Sequence, residues 1–245
     1  MPCDWHSGAI RLFERQHHRR VAQVLEALDG PQLRARACLF GGGTAIALRF
    51  GEYRESVDID FLVSDLGAYR ELRQALTGID GLATLQRAGA RPLELVGELR
   101  ADQYGIRTRV RVDEQPIKLE IVFEARIALQ APGKTDEVCG VPTLTPVDMA
   151  ASKLLANSDR WPDDGVFSRD LIDLAMMKPS LALLRQAVAK AEGAYGAAVR
   201  RDLQRAIDRM QARTGWLERC MKIMGMAGTQ AQVWQRIRAL RRVLI

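Results

Sequence analysis

Hydrophobic and polar residues recur along this chain with two different periods, and the change from one to the other organises it. Residues 8–28 set Ile10, Phe13, Val21, Val24, Leu25 and Leu28 among arginines and glutamines, a spacing that predicts one or two helices. Asp29-Gly30-Pro31 breaks that pattern. Ala37–Phe40 is a short apolar run that enters three glycines and predicts a strand. Thr44–Arg49 predicts the helix after the turn, Gly51–Ser56 a loop, and Val57–Val63 a second strand. Asp65–Leu76 reads as an amphipathic helix with Leu66, Tyr69, Leu72 and Leu76 on one side. Leu93–Leu99 and Ile106–Val112 alternate like the arms of an antiparallel hairpin. In Ile117–Phe123 the alternation is clean: Ile117, Leu119, Ile121 and Phe123 share one face, and Lys118, Glu120 and Val122 the other.

After Thr143-Leu144-Thr145-Pro146 the strand period disappears. Val147–Ala156, Arg169–Met176, Ser180–Glu192, Tyr195–Arg213 and Gln230–Leu244 all carry helical spacing. Thr145 is placed to cap the first of these, with Pro146 at its first position and Asp148 in its first turn. The expected division is residues 1–145 and residues 146–245.

Charge sharpens the division. Residues 151–245 hold 17 basic against 9 acidic residues, a net +8, while residues 1–150 hold 19 against 21, a net −2. The basic half suits a polyanion such as RNA, or equally well-solvated amphipathic helices. The composition, 47% hydrophobic and 27% charged, is that of an ordinary globular protein. No apolar run reaches the roughly 18 residues of a membrane span, and the polar start Met1–His6 has no signal core. The expectation is a cytoplasmic protein with no membrane partner. Cys3, Cys38, Cys139 and Cys220 form no Cys-x-x-Cys pair and are expected to be free structural thiols.

The chemistry is concentrated in residues 41–61. Three glycines, Gly41 to Gly43, open a helix, and Asp58-x-Asp60 follows within an apolar strand. Glycine turns at helix starts suit phosphate oxygens. Two carboxylates on one strand project to one face and are costly to place there without a cation. Phosphoryl and nucleotidyl transfer need this combination, because two Mg²⁺ ions roughly 3.5–4 Å apart can clamp the attacking and leaving oxygens. Asp58 and Asp60 are therefore candidate metal ligands. Glu120, on a later strand, is a candidate third ligand or proton acceptor. Gly42, Gly43 and Thr44 are candidate triphosphate contacts. Arg49 and Arg54 flank the motif and either touch phosphate or pair with Glu52 or Glu55. Ser56 is placed to tie the loop to the strand.

Other chemistries lack their parts. His6 stands alone, and His17-His18 lies among arginines without metal-ligating partners. All histidines precede residue 19, so no Ser-His-Asp set can be argued. The glycines lack the Gly-Lys-Ser/Thr of a P-loop. Trp216, Met221, Met224, Met226 and Trp234 are expected in a core or interface.

Gly42-Gly43-Thr44-Ala45, Arg49 and Arg54–Phe61 closely resemble the first motif of the AbiEii/AbiGii-type nucleotidyltransferase toxins, in the DNA polymerase β-like nucleotidyltransferase superfamily. The spacer Thr44–Val57, at 14 residues, is near the long end of the pattern. Lys118-Leu119-Glu120-Ile121 resembles the strand that carries the family's third acid. Thr145–Leu154 resembles the helix with its nucleotide-contacting lysine, here Lys153. Arg169-Asp170-Leu171-Ile172-Asp173 resembles its Arg-Asp-x-x-Asp segment. The resemblance covers roughly residues 37–175.

It implies an α+β fold: a nucleotidyltransferase-type mixed sheet flanked by helices, then an all-helical C-terminal domain that completes the active-site cleft. It also implies Mg²⁺-dependent transfer of NMP from NTP to an acceptor, with tRNA the leading acceptor, and a toxin paired with a cognate antitoxin. Ser56 and Lys153 join the nucleotide-binding set, and Lys153 and Asp170 join Asp58, Asp60 and Glu120 as catalytic candidates. Asp170 is placed to orient Lys153 or an attacking hydroxyl. Asp173, one turn on, either joins it or pairs with Arg169 or Lys178. The competing expectations are a nucleotidyltransferase acting on a protein or small-molecule hydroxyl, and a non-catalytic RNA- or partner-binding module.

Overall fold

The computed structural model describes residues 13–244. Cys3, His6 and Ile10 lie outside the described residues. The chain divides into two compact units. One comprises the described residues up to Glu52 together with Ser56–Leu144, and the other comprises Tyr53–Glu55 and the residues from Thr145 on.

The first unit is mixed α and β, as expected. Helix α1 (Gln16–Ala27) buries Val21, Ala22, Val24 and Leu25 along one face. Asp29-Gly30-Pro31 does end it, but the same tripeptide starts α2 (Gly30–Ala35): the Asp29 carboxylate accepts from the Gln32 N–H, and Pro31 sits in the first turn. Strand β1 (Leu39–Gly41) runs directly into α3 (Gly42–Arg49), and β2 (Ile59–Val63) follows the loop. Helix α4 (Leu66–Leu76) is capped by Asp65 and buries Tyr69, Leu72 and Leu76. Leu66, expected on that face, is 44% exposed because it is the first residue after the cap.

The expected Leu93–Leu99 strand is two short pieces, β3 (Glu94–Leu95) and β4 (Arg100–Ala101), interrupted at Gly97, whose φ is +82°. Both pair antiparallel with β5 (Gly105–Val112). A two-residue turn, Asp113-Glu114, with φ of 47° and 61°, joins β5 to β6 (Gln115–Phe123). Positive φ at both residues matches the twist of the flanking strands. A short hairpin, β7 (Glu137–Val138) with β8 (Val141–Pro142), closes the unit; no alternation in the sequence announces it.

The large sheet runs β1-β2-β6-β5-β3, with β4 also on β5. Strands β2 and β6 are parallel, and the other pairs are antiparallel. One face is core: Ile59, Phe61, Ile106, Val110, Ile117, Leu119 and Ile121 are all buried, at roughly 1.5–3 kcal/mol for each large side chain removed from water.

The second unit is helical. Its elements are α5 (Pro146–Arg160), α6 (Arg169–Met176), α7 (Leu181–Tyr195), α8 (Ala198–Ala212), α9 (Trp216–Ile223) and α10 (Gln230–Ala239). Thr145 caps α5 by accepting from the Asp148 N–H. Helix α8 starts later than its apolar spacing implies, because Gly196 at φ +57° separates it from α7. Trp216 and Met221 are buried, but Met224, Met226 and Trp234 are only half-buried. Cys38, Cys139 and Cys220 are free thiols. Among the described residues no helix is long and apolar enough to cross a membrane.

Candidate active site

The glycine turn and the second aspartate are brought together by strand pairing. In the antiparallel β1–β2 pair, Gly41 lies opposite Asp60. Gly42 follows with φ +67°, a left-handed conformation that costs a side-chain-bearing residue about 1–2 kcal/mol. A Cβ there would stand 2.4 Å from Asp60 Oδ2. Only glycine fits both the backbone and the space. Gly42 and Gly43 are half-exposed at the start of α3, where backbone N–H groups have no partner within the helix.

On the other side of Asp60 is Glu120, its neighbour across the parallel β2–β6 pair. Asp58 is half-buried one residue before β2, which begins at Ile59 rather than Val57. Glu120 is itself paired: its carboxylate accepts from Lys118 Nζ at 2.6 Å and faces Arg107 Nε at 3.1 Å.

The loop that delivers Asp58 is anchored from within the same unit. Glu52, at φ +49°, accepts from the N–H groups of Glu14 and Arg15 and pairs with His18 Nδ1 at 2.7 Å. The Ser56 N–H donates to His18 Nε2 at 3.1 Å. That bond makes Nε2 the unprotonated nitrogen and leaves Nδ1–H to donate to Glu52. Burial lowers the His18 pKa, against the pull of Glu52. His17 Nε2 lies 3.0 Å from the Val57 carbonyl. Thr44 Oγ1 donates to Ser56 Oγ at 2.8 Å, and both residues are buried. The hydroxyls expected on a nucleotide are therefore turned toward one another, bracing the helix start against the loop. Arg49 pairs with neither Glu52 nor Glu55. Its guanidinium is held by Asp136 at 2.9 Å, Thr143 Oγ1 at 2.8 Å and the Leu144 carbonyl at 3.2 Å.

The helical unit holds a second charged cluster. Asp173, fully buried, accepts from Arg54 Nε at 2.7 Å and Nη2 at 2.9 Å, from Tyr53 Oη at 2.6 Å, and faces Lys153 Nζ at 2.8 Å. Asp170 accepts from Lys153 Nζ at 3.1 Å and from Arg160 Nε at 2.7 Å and Nη2 at 2.9 Å. Lys153 thus bridges two carboxylates, each gripped from its other side by an arginine. Asp173 joins Asp170 on Lys153 and pairs with neither Arg169 nor Lys178, and Arg54 ion-pairs with Asp173 and with neither the Glu52 nor the Glu55 carboxylate, while its Nη1 donates to the Glu55 carbonyl at 2.8 Å. Burial raises the pKa of both aspartates, but the surrounding cations outweigh it and hold them below the usual carboxylate range. Burial likewise opposes the charge on Lys153, and the two aspartates overcome it and raise its pKa. The cluster keeps three cations against two anions.

Sequence reasoning missed Tyr53, Arg160, Arg107 and the role of His18. Arg160 had a signal, two helical turns after Lys153 on the same face. The others depend on long-range pairing, which leaves no local trace.

Among the described residues no three His, Cys, Asp or Glu side chains already form a metal-holding group. Mg²⁺, however, keeps several waters and takes only one or two carboxylates alongside substrate phosphates. Asp60, against a glycine whose Cβ would collide with it, and Asp58, two residues before it in the chain, suit that demand.

Two solved structures are similar to the chain. A candidate nucleotidyltransferase from H. pylori is 16% identical with a TM-score of 0.48, over 93% of this chain and 94% of that one. JHP933 from Helicobacter pylori is 17% identical with a TM-score of 0.48, over 95% and 94%. No curated protein matches. Residues 23–239 match the family described as nucleotidyl transferase AbiEii toxin, type IV TA system. Most of the chain lies within that match, so it belongs to the AbiEii family of nucleotidyltransferase toxins.

Proposed function

We propose that this protein moves a nucleoside monophosphate from an NTP to a hydroxyl of an RNA acceptor, tRNA above all, and that it does so with Mg²⁺. The acceptor oxygen bonds to the α-phosphorus, the bond from that phosphorus to the oxygen bridging to the β-phosphorus breaks, and pyrophosphate leaves. In this reading it acts in the cytoplasm as a toxin countered by a cognate antitoxin.

The observation that carries this reading is the position of Asp60, between Gly41 and Gly42 on one side and Glu120 on the other. Asp58 and Asp60 would hold Mg²⁺, which supplies charge neutralisation on the triphosphate and orients its oxygens. Glu120 adds the third acid, as a ligand or as acceptor of the hydroxyl proton. The N–H groups of Gly42 and Gly43 receive phosphate oxygens, while Thr44 and Ser56 hold that turn in shape. From the helical unit we assign Lys153 to the phosphates, with Asp170 and Asp173 orienting it; the cluster's excess positive charge supports this.

The test incubates the protein with labelled NTPs, Mg²⁺ and total tRNA. Wild type is expected to label the RNA, and Asp58→Ala is not. Equal label on the RNA from both overturns the RNA reading. Label on a protein or on a small-molecule hydroxyl reassigns the acceptor. Unchanged toxicity and binding in Asp60→Ala would make the protein a non-catalytic binding module.

A further inference from the structure

The registers of four strand pairs place five residues in one row across the sheet: Gly41, Asp60, Glu120, Arg107 and Arg100. Neighbouring strands are roughly 4.8 Å apart, so the row passes from a glycine turn, over two acids, to two arginines within about 20 Å. Side chains at paired positions share a face. One step along the strands, Arg109 lies opposite Lys118 on that same face. Arg100, Arg107 and Arg109 are exposed. Arg107 pairs with Asp102 and Glu120, and Lys118 pairs with Glu120. Among the described residues Arg100 and Arg109 have no ion pair.

We propose that this strip of sheet is the track for the RNA acceptor: phosphates next to the reacting nucleotide lie on Arg107, Arg100 and Arg109. The inference rests on the nucleotidyltransferase reading above and adds where the acceptor binds. Cations in a line that can follow a phosphate backbone are an element of a single-strand surface. The line ends at the acids where the hydroxyl must react.

The rival surface is the basic C-terminal half, which the distribution of charge along the sequence favours. Much of its charge is already spent. Arg201 and Arg205 pair with Asp202, Arg209 and Arg213 with Asp164, and Arg241 with Asp208.

The experiment measures binding of fluorescein-labelled total tRNA across a salt series, and RNA labelling by NTP in parallel, for three proteins. They are wild type, Arg100→Glu/Arg109→Glu, and Arg201→Glu/Arg205→Glu on α8. All substituted positions are exposed or half-exposed, and melting curves confirm that each protein is folded. The β4–β5 variant is expected to bind RNA about tenfold more weakly, with a salt slope shallower by about 1–2, as for one or two lost phosphate contacts. It should raise KM for RNA rather than for NTP. The α8 variant is expected to bind like wild type. If wild type binds tRNA and the α8 variant alone is weakened, the track is overturned while the nucleotidyltransferase reading stands. If wild type neither binds nor labels RNA but still labels another acceptor, the track falls together with the choice of RNA. If the β4–β5 reversal leaves tRNA binding intact and abolishes binding of an acidic protein segment, the strip is a protein-docking surface instead.

Discussion

Asp60 lies so close to Gly42 that a single added carbon on the glycine would stand 2.4 Å from its Oδ2. Gly42→Ala therefore sets two penalties against each other. The backbone at φ +67° resists the methyl group, and the carboxylate must move if the backbone does not. A displacement near 1 Å at a reacting centre can cost about 10²-fold in rate. The expected outcome is a loss of transfer of about that size with a melting temperature lowered by only a few degrees. A variant with wild-type turnover would show that Asp60 is free to be elsewhere.

Asp58→Asn and Asp60→Asn keep side-chain size and remove charge. Both should remain folded and lose nucleotide transfer by at least about 10²-fold, because the charge proposed to hold the cation is gone. A titration of activity against Mg²⁺ checks this. The surviving activity should need more metal, and an unchanged midpoint would exclude these carboxylates as ligands.

His18 joins the Ser56 N–H to the Glu52 carboxylate. His18→Ala strands the Ser56 N–H at about 1–3 kcal/mol and leaves Glu52 with the Glu14 and Arg15 N–H groups. The histidine also predicts a pH dependence. Burial holds its folded pKa below the unfolded value of 6.5, with Glu52 pulling upward and Arg15 and His17 adding a smaller downward push. The unfolded chain therefore binds the proton more readily. The contribution is fully present above pH 6.5 and is lost as pH falls toward the folded pKa. Melting temperatures at pH 7.5 and 5.5 should fall more steeply for wild type than for His18→Gln.

The cluster around Lys153 separates folding from binding. Asp173→Asn leaves Arg54 and Lys153 short of a buried anion and should cost about 3–5 kcal/mol. Lys153→Met leaves one arginine for each aspartate, Arg54 for Asp173 and Arg160 for Asp170. Its melting temperature should stay within a few degrees of wild type, while KM for NTP rises about tenfold for the lost cation. Since both aspartates titrate below the usual 3.8, their stabilisation is complete above that pH and is lost as the solution is acidified further. Acid unfolding of Asp173→Asn should accordingly show a weaker dependence on pH below 4.

Much of this site was legible in the sequence, because its first part is local. The glycines, Asp58 and Asp60 lie within twenty residues, and the alternation of Ile117–Phe123 correctly turns Glu120 away from the core. The parallel register that sets Glu120 beside Asp60 was not legible, since it joins positions sixty residues apart. Asp29-Gly30-Pro31 shows a second limit: a helix-ending signal and a helix-starting signal can be the same residues. Leu66 shows a third, for a leucine at the first turn of α4 follows the helical spacing yet faces water. Of the two readings of Asp173 the one beside Asp170 on Lys153 holds, whereas the pairing of Arg49 or Arg54 with Glu52 or Glu55 favours the nearest opposite charge and does not. Burial decided instead, because a carboxylate out of water demands full coordination and takes the arginine that can supply it.

Tyr53 to Glu55 belong with the helices although the residues on either side belong with the sheet. A chain truncated after residue 144 would carry Arg54 away from Asp173, and a fragment starting at 145 would leave that aspartate with Lys153 alone. Neither half should be obtainable as a stable product. Proteolysis between residues 144 and 145 is then expected to give a nicked complex that stays together until denatured, rather than two independent proteins.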